Sequence, residues 1–268
     1  MKLKIKNNKS NKIAGMTLAE ILIGMAVTSI IMIAVFTSYT LVNNSYTQVT
    51  DRAKISSSGR DMVGMMMRDI RMAGFKFFAD NLVVDEMIPI SITSSTDVCC
   101  DQIQIMHGDY NSTLTPKFQR YRITYFGEAD ASDEYFLLKK KMERWDGSTW
   151  DTIFPTDGSS GETIRDYLVD MEFVPINRKG IIITDDLLND LSVNQEDKFV
   201  RAVDLRLTFR SKDEFYKTVP DSTSEAAKRR IIHALGNAAR SLSSGTLDKF
   251  FRESVVITIH TRNIGLEQ

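Results

Sequence analysis

The chain has 268 residues, 43% hydrophobic and 26% charged, with a formal net charge of −1, enough apolar material for one large core or two small ones. Residues 1–15, MKLKIKNNKSNKIAG, hold five lysines and no acid. Setting those five aside leaves 29 basic against 35 acidic residues, a balance of −6. A mildly acidic body argues against a nucleic-acid grip, which needs a clustered basic surface to displace counterions.

After the basic tip comes a long apolar run. Residues 16–36 make 21 positions, and about 20 apolar residues of helix cross a hydrocarbon layer. No charge occurs from Ile21 to Thr50. With lysines before the run and Asp51 and Arg52 after it, the positive-inside rule keeps the N-terminus cytoplasmic and exports the rest. One acid, Glu20, sits near the start. An ionised side chain costs about 2.5–3.5 kcal/mol at mid-bilayer and less near the end. A secretory signal places its small-residue cleavage site after the apolar core; here the small residue, Gly15, stands before it.

This order, with Gly15, Met16, Thr17, Leu18, Ala19 and Glu20, resembles the leader of type IV pilins and of the pseudopilins of type II secretion. The resemblance implies that a membrane prepilin peptidase cuts after Gly15 and N-methylates the new terminus at Met16. Thr17 and Leu18 stand where the family carries the same residues for leader recognition. Glu20 stands at its acidic fifth mature position; Met16 replaces the usual phenylalanine and Ala19 a larger aliphatic. Cleavage would free an α-amine with an ordinary pKa of about 7.7–8.0. Two unit charges 4 Å apart attract by about 4 kcal/mol at an effective dielectric of 20. Glu20 is thereby expected to set assembly register by meeting a neighbour's amine, a well-attested use of a buried charge.

No proline occurs before Pro89, so one helix is expected from Met16 to about Ala73, its membrane half over residues 16–36 and an amphipathic half over 37–78. Ile55, Met62, Met66, Ile70 and Ala73 form an apolar stripe, with Arg60, Asp61, Arg68 and Asp69 off it. Gly74 is a natural C-cap. The ending MMMRDIRMAGF resembles the stalk end of the PilW family of minor pilins, with Asp69, Ile70, Arg71, Ala73, Gly74 and Phe75 in the matching places. The minor pseudopilin J of type II secretion ends its stalk in a similar way.

Residues 79–268 read as a β-rich extracytoplasmic head. Period-two alternation marks strands around Ile103–Ile105, Tyr121–Tyr125, Val203–Phe209 and Val255–Ile259, which predicts antiparallel sheet with one wet face. YFLLKKKMERW, YLVDMEFVPI and GIIIT supply further strands, and the last strand, ending ITIHTRN, resembles the closing strand of PilW-like proteins. The segments GEADASDE and PTDGSSGE read as turns. Ser222 and Glu225 have capping-box spacing before Ile231, Leu235, Ala238 and Leu242, which predicts a short helix in a late insertion. The fold class expected is therefore α+β and pilin-like: a long N-terminal helix packed on an antiparallel sheet.

Chemistry is sparse. His107, His233 and His260 are far apart, no zinc, phosphate-loop or nucleophile-elbow spacing occurs, and His260 falls on the wet face. Asp130, Asp133 and Glu134 are oxygen ligands of the kind calcium takes but lack its loop pattern. Cys99 and Cys100 are adjacent, with Cα atoms about 3.8 Å apart against the roughly 4.4–6.8 Å of ordinary disulfides. Two readings stand: a strained vicinal disulfide acting as a switch or rigid turn, and two unlinked small residues entering the strand at Asp101. The C-terminal disulfide loop of major pilins cannot form, which fits a minor subunit. No enzyme, cofactor, metal or nucleic acid is expected.

The resemblance implies a minor pilin in the inner membrane, then built into a type IV pilus at or near its tip, where it primes assembly. Its partners would be prepilin peptidase, other pilins and the inner-membrane assembly platform. The alternative is a minor pseudopilin of type II secretion. A third reading, a membrane-anchored extracytoplasmic binding module, requires a convergent polar site that the sequence does not display.

Overall fold

A computed structural model describes residues 16–75, 88–95, 99–115, 117–131, 135–184, 199–216, 218–219, 235 and 248–264. Among them are one helix, α1 (Leu18–Met72), and eight strands: β1 (Ile90–Thr93), β2 (Gln102–Tyr110), β3 (Phe118–Ala129), β4 (Phe136–Trp145), β5 (Trp150–Phe154), β6 (Glu162–Ile176), β7 (Ala202–Arg210) and β8 (Arg252–His260). The chain divides into two compact units, Met1–Thr50 and Asp51–Gln268.

The described part of the first unit is helix from Leu18 on. Its apolar side chains are bare: Ile30, Met32, Phe36 and Tyr46 are each about two-thirds exposed or more. The hydroxyls within the run turn inward on their own helix. Thr28 donates to the Gly24 carbonyl at 2.7 Å, Ser29 to Met25 at 2.8 Å and Thr37 to Ile33 at 3.0 Å. Hydroxyls satisfied in this way add little cost to a segment leaving water. The run is long and apolar enough to cross a membrane.

In the second unit the remainder of α1 buries Ile55, Gly59, Val63, Met66, Asp69 and Ile70. Recurrence every three or four residues makes one apolar face of a helix. The expected stripe holds at Ile55, Met66, Ile70 and Ala73. Met62 is only partly buried, because Gly59 and Val63 occupy the centre of the face, and Asp69 lies on it rather than off it. This face shares a core with Ile103, Ile105, Tyr125, Leu138, Leu168, Phe173, Leu205, Leu207 and Ile259 of the strands. Arg52 lies over the Phe215 and Phe251 rings, at 5.0 and 4.8 Å from their centroids.

The strands make a single antiparallel sheet in the order β1-β2-β3-β4-β6-β7-β8, with β5 also paired to β4. The far part of β4 (Met142 to Trp145) takes β5 and the near part (Phe136 to Lys140) takes β6. Two of these strands, β1 and β5, were not expected. They have four and five residues, too few for alternation to register.

Three expectations need correcting. GIIIT is not a strand: only Ile176 and Ile182 bridge. The cause is a tight turn, with the Asn177 side-chain oxygen accepting from the N–H groups of Lys179 and Ile181. Gly127 to Ala129, read as part of a turn, complete β3. Most consequentially, the face of β7 expected to be wet is buried at Arg206, Thr208 and Arg210, and the neighbouring β6 buries Asp170 and Glu172. The late helix, over residues 222–242, lies outside the described residues apart from Leu235.

Candidate functional site

Thr17 and Glu20 open α1 as a reciprocal cap. The Thr17 amide and hydroxyl donate to Glu20 Oε2 at 2.8 and 3.0 Å, and the Glu20 amide donates back to the Thr17 hydroxyl at 3.3 Å. This is a capping box, two of the helix's orphan N–H groups satisfied by two side chains. The carboxylate expected to serve a neighbour thus has a partner within its own helix. The signal was present, since Thr-x-x-Glu ahead of an apolar run is the sequence form of the motif. Met16 and Leu18 are 77% and 76% exposed. Gly15, the expected cleavage position, lies outside the described residues.

At the other end of α1 the Asp-Ile-Arg-Met-Ala-Gly-Phe segment docks into the sheet. Asp69 is only 8% exposed; its Oδ2 accepts from the Tyr125 hydroxyl at 2.6 Å and from Lys140 Nζ at 2.7 Å. Burial, then the Asp69 charge, pushes the Tyr125 phenol far above its ordinary range, so it stays a donor. Gly74 adopts φ +72°, and its amide donates to Met106 of β2 at 2.9 Å, so the helix is capped by the sheet. Asn263 closes the corner by donating to the Arg71 carbonyl at 3.1 Å. Asp69→Ala is expected to cost about 3 kcal/mol, since it leaves a half-buried ammonium and a buried hydroxyl without their acceptor. Tyr125→Phe, which removes one bond to a charged group, should cost about 1.5–3 kcal/mol. Thermal unfolding of the full chain in detergent measures both; an Asp69→Ala midpoint equal to wild type would reject the lock.

The buried reverse face carries an ionic trio. Arg206 reaches Asp170 Oδ2 through Nε at 3.1 Å and Nη2 at 2.6 Å, and Nη2 stands 2.6 Å from Glu172 Oε2. The three side chains are at most 3% exposed. Glu172 also accepts from the Leu235 amide at 2.9 Å. Nearby, Arg210 lies over the Phe250 ring at 4.0 Å and the Tyr135 ring at 5.2 Å.

The remaining sites do not converge. Cys99 and Cys100 are joined as a vicinal disulfide. Asp101 behind them accepts from the Ser95 and Phe173 amides, both at 2.9 Å. His107 is half-buried against Tyr121, and burial pushes its imidazole down. His260 is exposed; His233, Asp133 and Glu134 lie outside the described residues, and only Asp130 of the acidic loop lies within them. Among the described residues no group of three or more His, Cys, Asp or Glu side chains gathers to hold a metal ion.

No family model matches the sequence, and no curated protein matches it. Among solved structures the chain is similar to a type IV-like pilin from Thermus thermophilus, at 11% identity and a TM-score of 0.42, over 78% of this chain and 97% of that one.

Proposed function

We propose that this chain is a minor pilin of the PilW type. Prepilin peptidase would cut it after Gly15 and methylate Met16. It would stand in the inner membrane with its N-terminus cytoplasmic and its sheet extracytoplasmic, then enter a type IV pilus at or near the tip and prime assembly. Its role is structural: it supplies a helix to the polymer core and a sheet for lateral contacts.

One observation carries the reading. The helix presents apolar side chains without a charge from Ile21 to Thr50 and buries none of them in its own unit, and in the sequence Glu20 stands directly before that stretch and Gly15 five residues before Glu20. Bare apolar area on that scale belongs against lipid or against other chains. The MMMRDIRMAGF ending and the absence of a second, distant cysteine pair favour a minor over a major subunit. The same ending also suits a minor pseudopilin of type II secretion. Neighbouring genes separate the two, other minor pilins in one case and a secretin with exoproteins in the other.

Intact-mass measurement of the chain from membranes of cells that contain the peptidase tests the reading. The expected product begins with N-methylated Met16. A stable chain retaining the five lysines would reject it.

A further inference from the structure

The last turns of α1 carry a feature that the fold itself does not use. Arg68 and Arg71 of the helix and Arg262, two residues past β8, line one groove of about 390 Å3. Arg68 and Arg262 are exposed. No side chain of the three has an ion pair or hydrogen bond among the described residues. The acid between the two helical arginines, Asp69, is held by Tyr125 and Lys140.

The rest of the lining is Met67, Met72 and Phe75, the last two each 37% exposed, together with the polar Asn263. Gly64 completes it. A glycine in a helix interior is destabilising relative to alanine, and nothing among the described residues requires one here: apart from its chain neighbours and the helix's own nearby backbone, none of their heavy atoms lies within 4 Å of where its Cβ would be. A notch that no described residue fills admits close approach by another backbone.

We infer that this groove docks an acidic peptide segment bearing an apolar side chain, presented by a neighbouring subunit of the assembly. Charge complementarity selects the acid: three guanidiniums with no ion pair among the described residues stand on a body whose balance is −6 without its first 15 residues. Guanidinium forks match carboxylates two bonds at a time. The thioethers and the ring select the apolar side chain, and methionine adapts to its shape. A bare phosphate would leave that lining in water. The inference rests on the assembly reading only for the source of the segment, because binding is measured on the purified chain without processing or incorporation.

The test uses the full chain in uncharged detergent micelles and a fluorescein-labelled dodecapeptide alternating Asp or Glu with Leu or Phe. Fluorescence anisotropy is read against empty micelles. Arg68→Gln with Arg71→Gln, and separately Gly64→Leu, should each weaken binding about tenfold or more. Thermal midpoints should stay near wild type, and added salt should weaken the wild-type complex. Peptides with lysine for the acids, or serine for the apolar residues, should not bind. Unchanged affinity in the variants would overturn the inference. Preference for phosphatidylglycerol vesicles would give the groove to lipid, and self-association abolished by the arginine variants would give it to a second copy; either result overturns the acidic-segment assignment.

Discussion

Replacing Arg206 by methionine is expected to lower the unfolding free energy of the second unit by about 3–5 kcal/mol, the usual cost of breaking a buried ion pair from one side. Domains of ordinary stability hold about 5–15 kcal/mol, so this variant should stand near the edge of folding. The side chain fits a methionine in volume; the electrostatics decide the result. Asp170 and Glu172 would keep their places at 2% and 0% exposure while losing the guanidinium that reaches both. Arg206→Lys should fall between: it keeps a charge but cannot fork to Asp170 as Nε and Nη2 do. Urea unfolding of the full chain in detergent, read through Trp145 and Trp150, orders the three proteins. A methionine variant within about 1 kcal/mol of wild type would mean that the trio contributes little beyond packing.

The same trio shows where sequence reasoning stops. In β7, Val203, Leu205, Leu207 and Phe209 alternate with Asp204, Arg206, Thr208 and Arg210, the pattern of a strand with one face in water. Strand position and core face follow directly from it. Burial of the charged face does not, because a charge paired across the sheet and a charge in solvent are the same letter; Glu172 stands opposite Arg206 only once register is known. Asp69 misled in the same way, its partners Tyr125 and Lys140 lying 56 and 71 residues on. The long helix was legible because it needs only local information: no proline, unbroken apolar content, and Gly74 at its end. Short strands such as β1 carry too few residues to declare themselves. At the candidate site Thr17 and Glu20 stand out as residues of interest, and their Thr-x-x-Glu spacing already contains the bond between them.

That bond distinguishes the cap from the proposed assembly role of the same carboxylate. As a cap, Glu20 needs only an acceptor oxygen for the Thr17 amide and hydroxyl. As an assembly register it needs a charge for the neighbouring amine. Glu20→Gln keeps the acceptor and deletes the charge, so it should leave helicity intact and abolish incorporation into filaments. Thr17→Ala removes a cap worth about 1 kcal/mol and leaves the charge, so the helix should fray by a turn while incorporation continues for the chain that intact mass shows to be cleaved, which separates the cap from the part of Thr17 in leader recognition. Glu20→Ala loses both. Circular dichroism of the full chain in detergent reads the cap, and immunoblotting of sheared filaments reads incorporation. Filaments that accept Glu20→Gln at wild-type levels would reduce this acid to a cap. The reverse pattern, incorporation lost with Thr17→Ala and kept with Glu20→Gln, would place the assembly determinant in the shape of the helix start rather than in its charge.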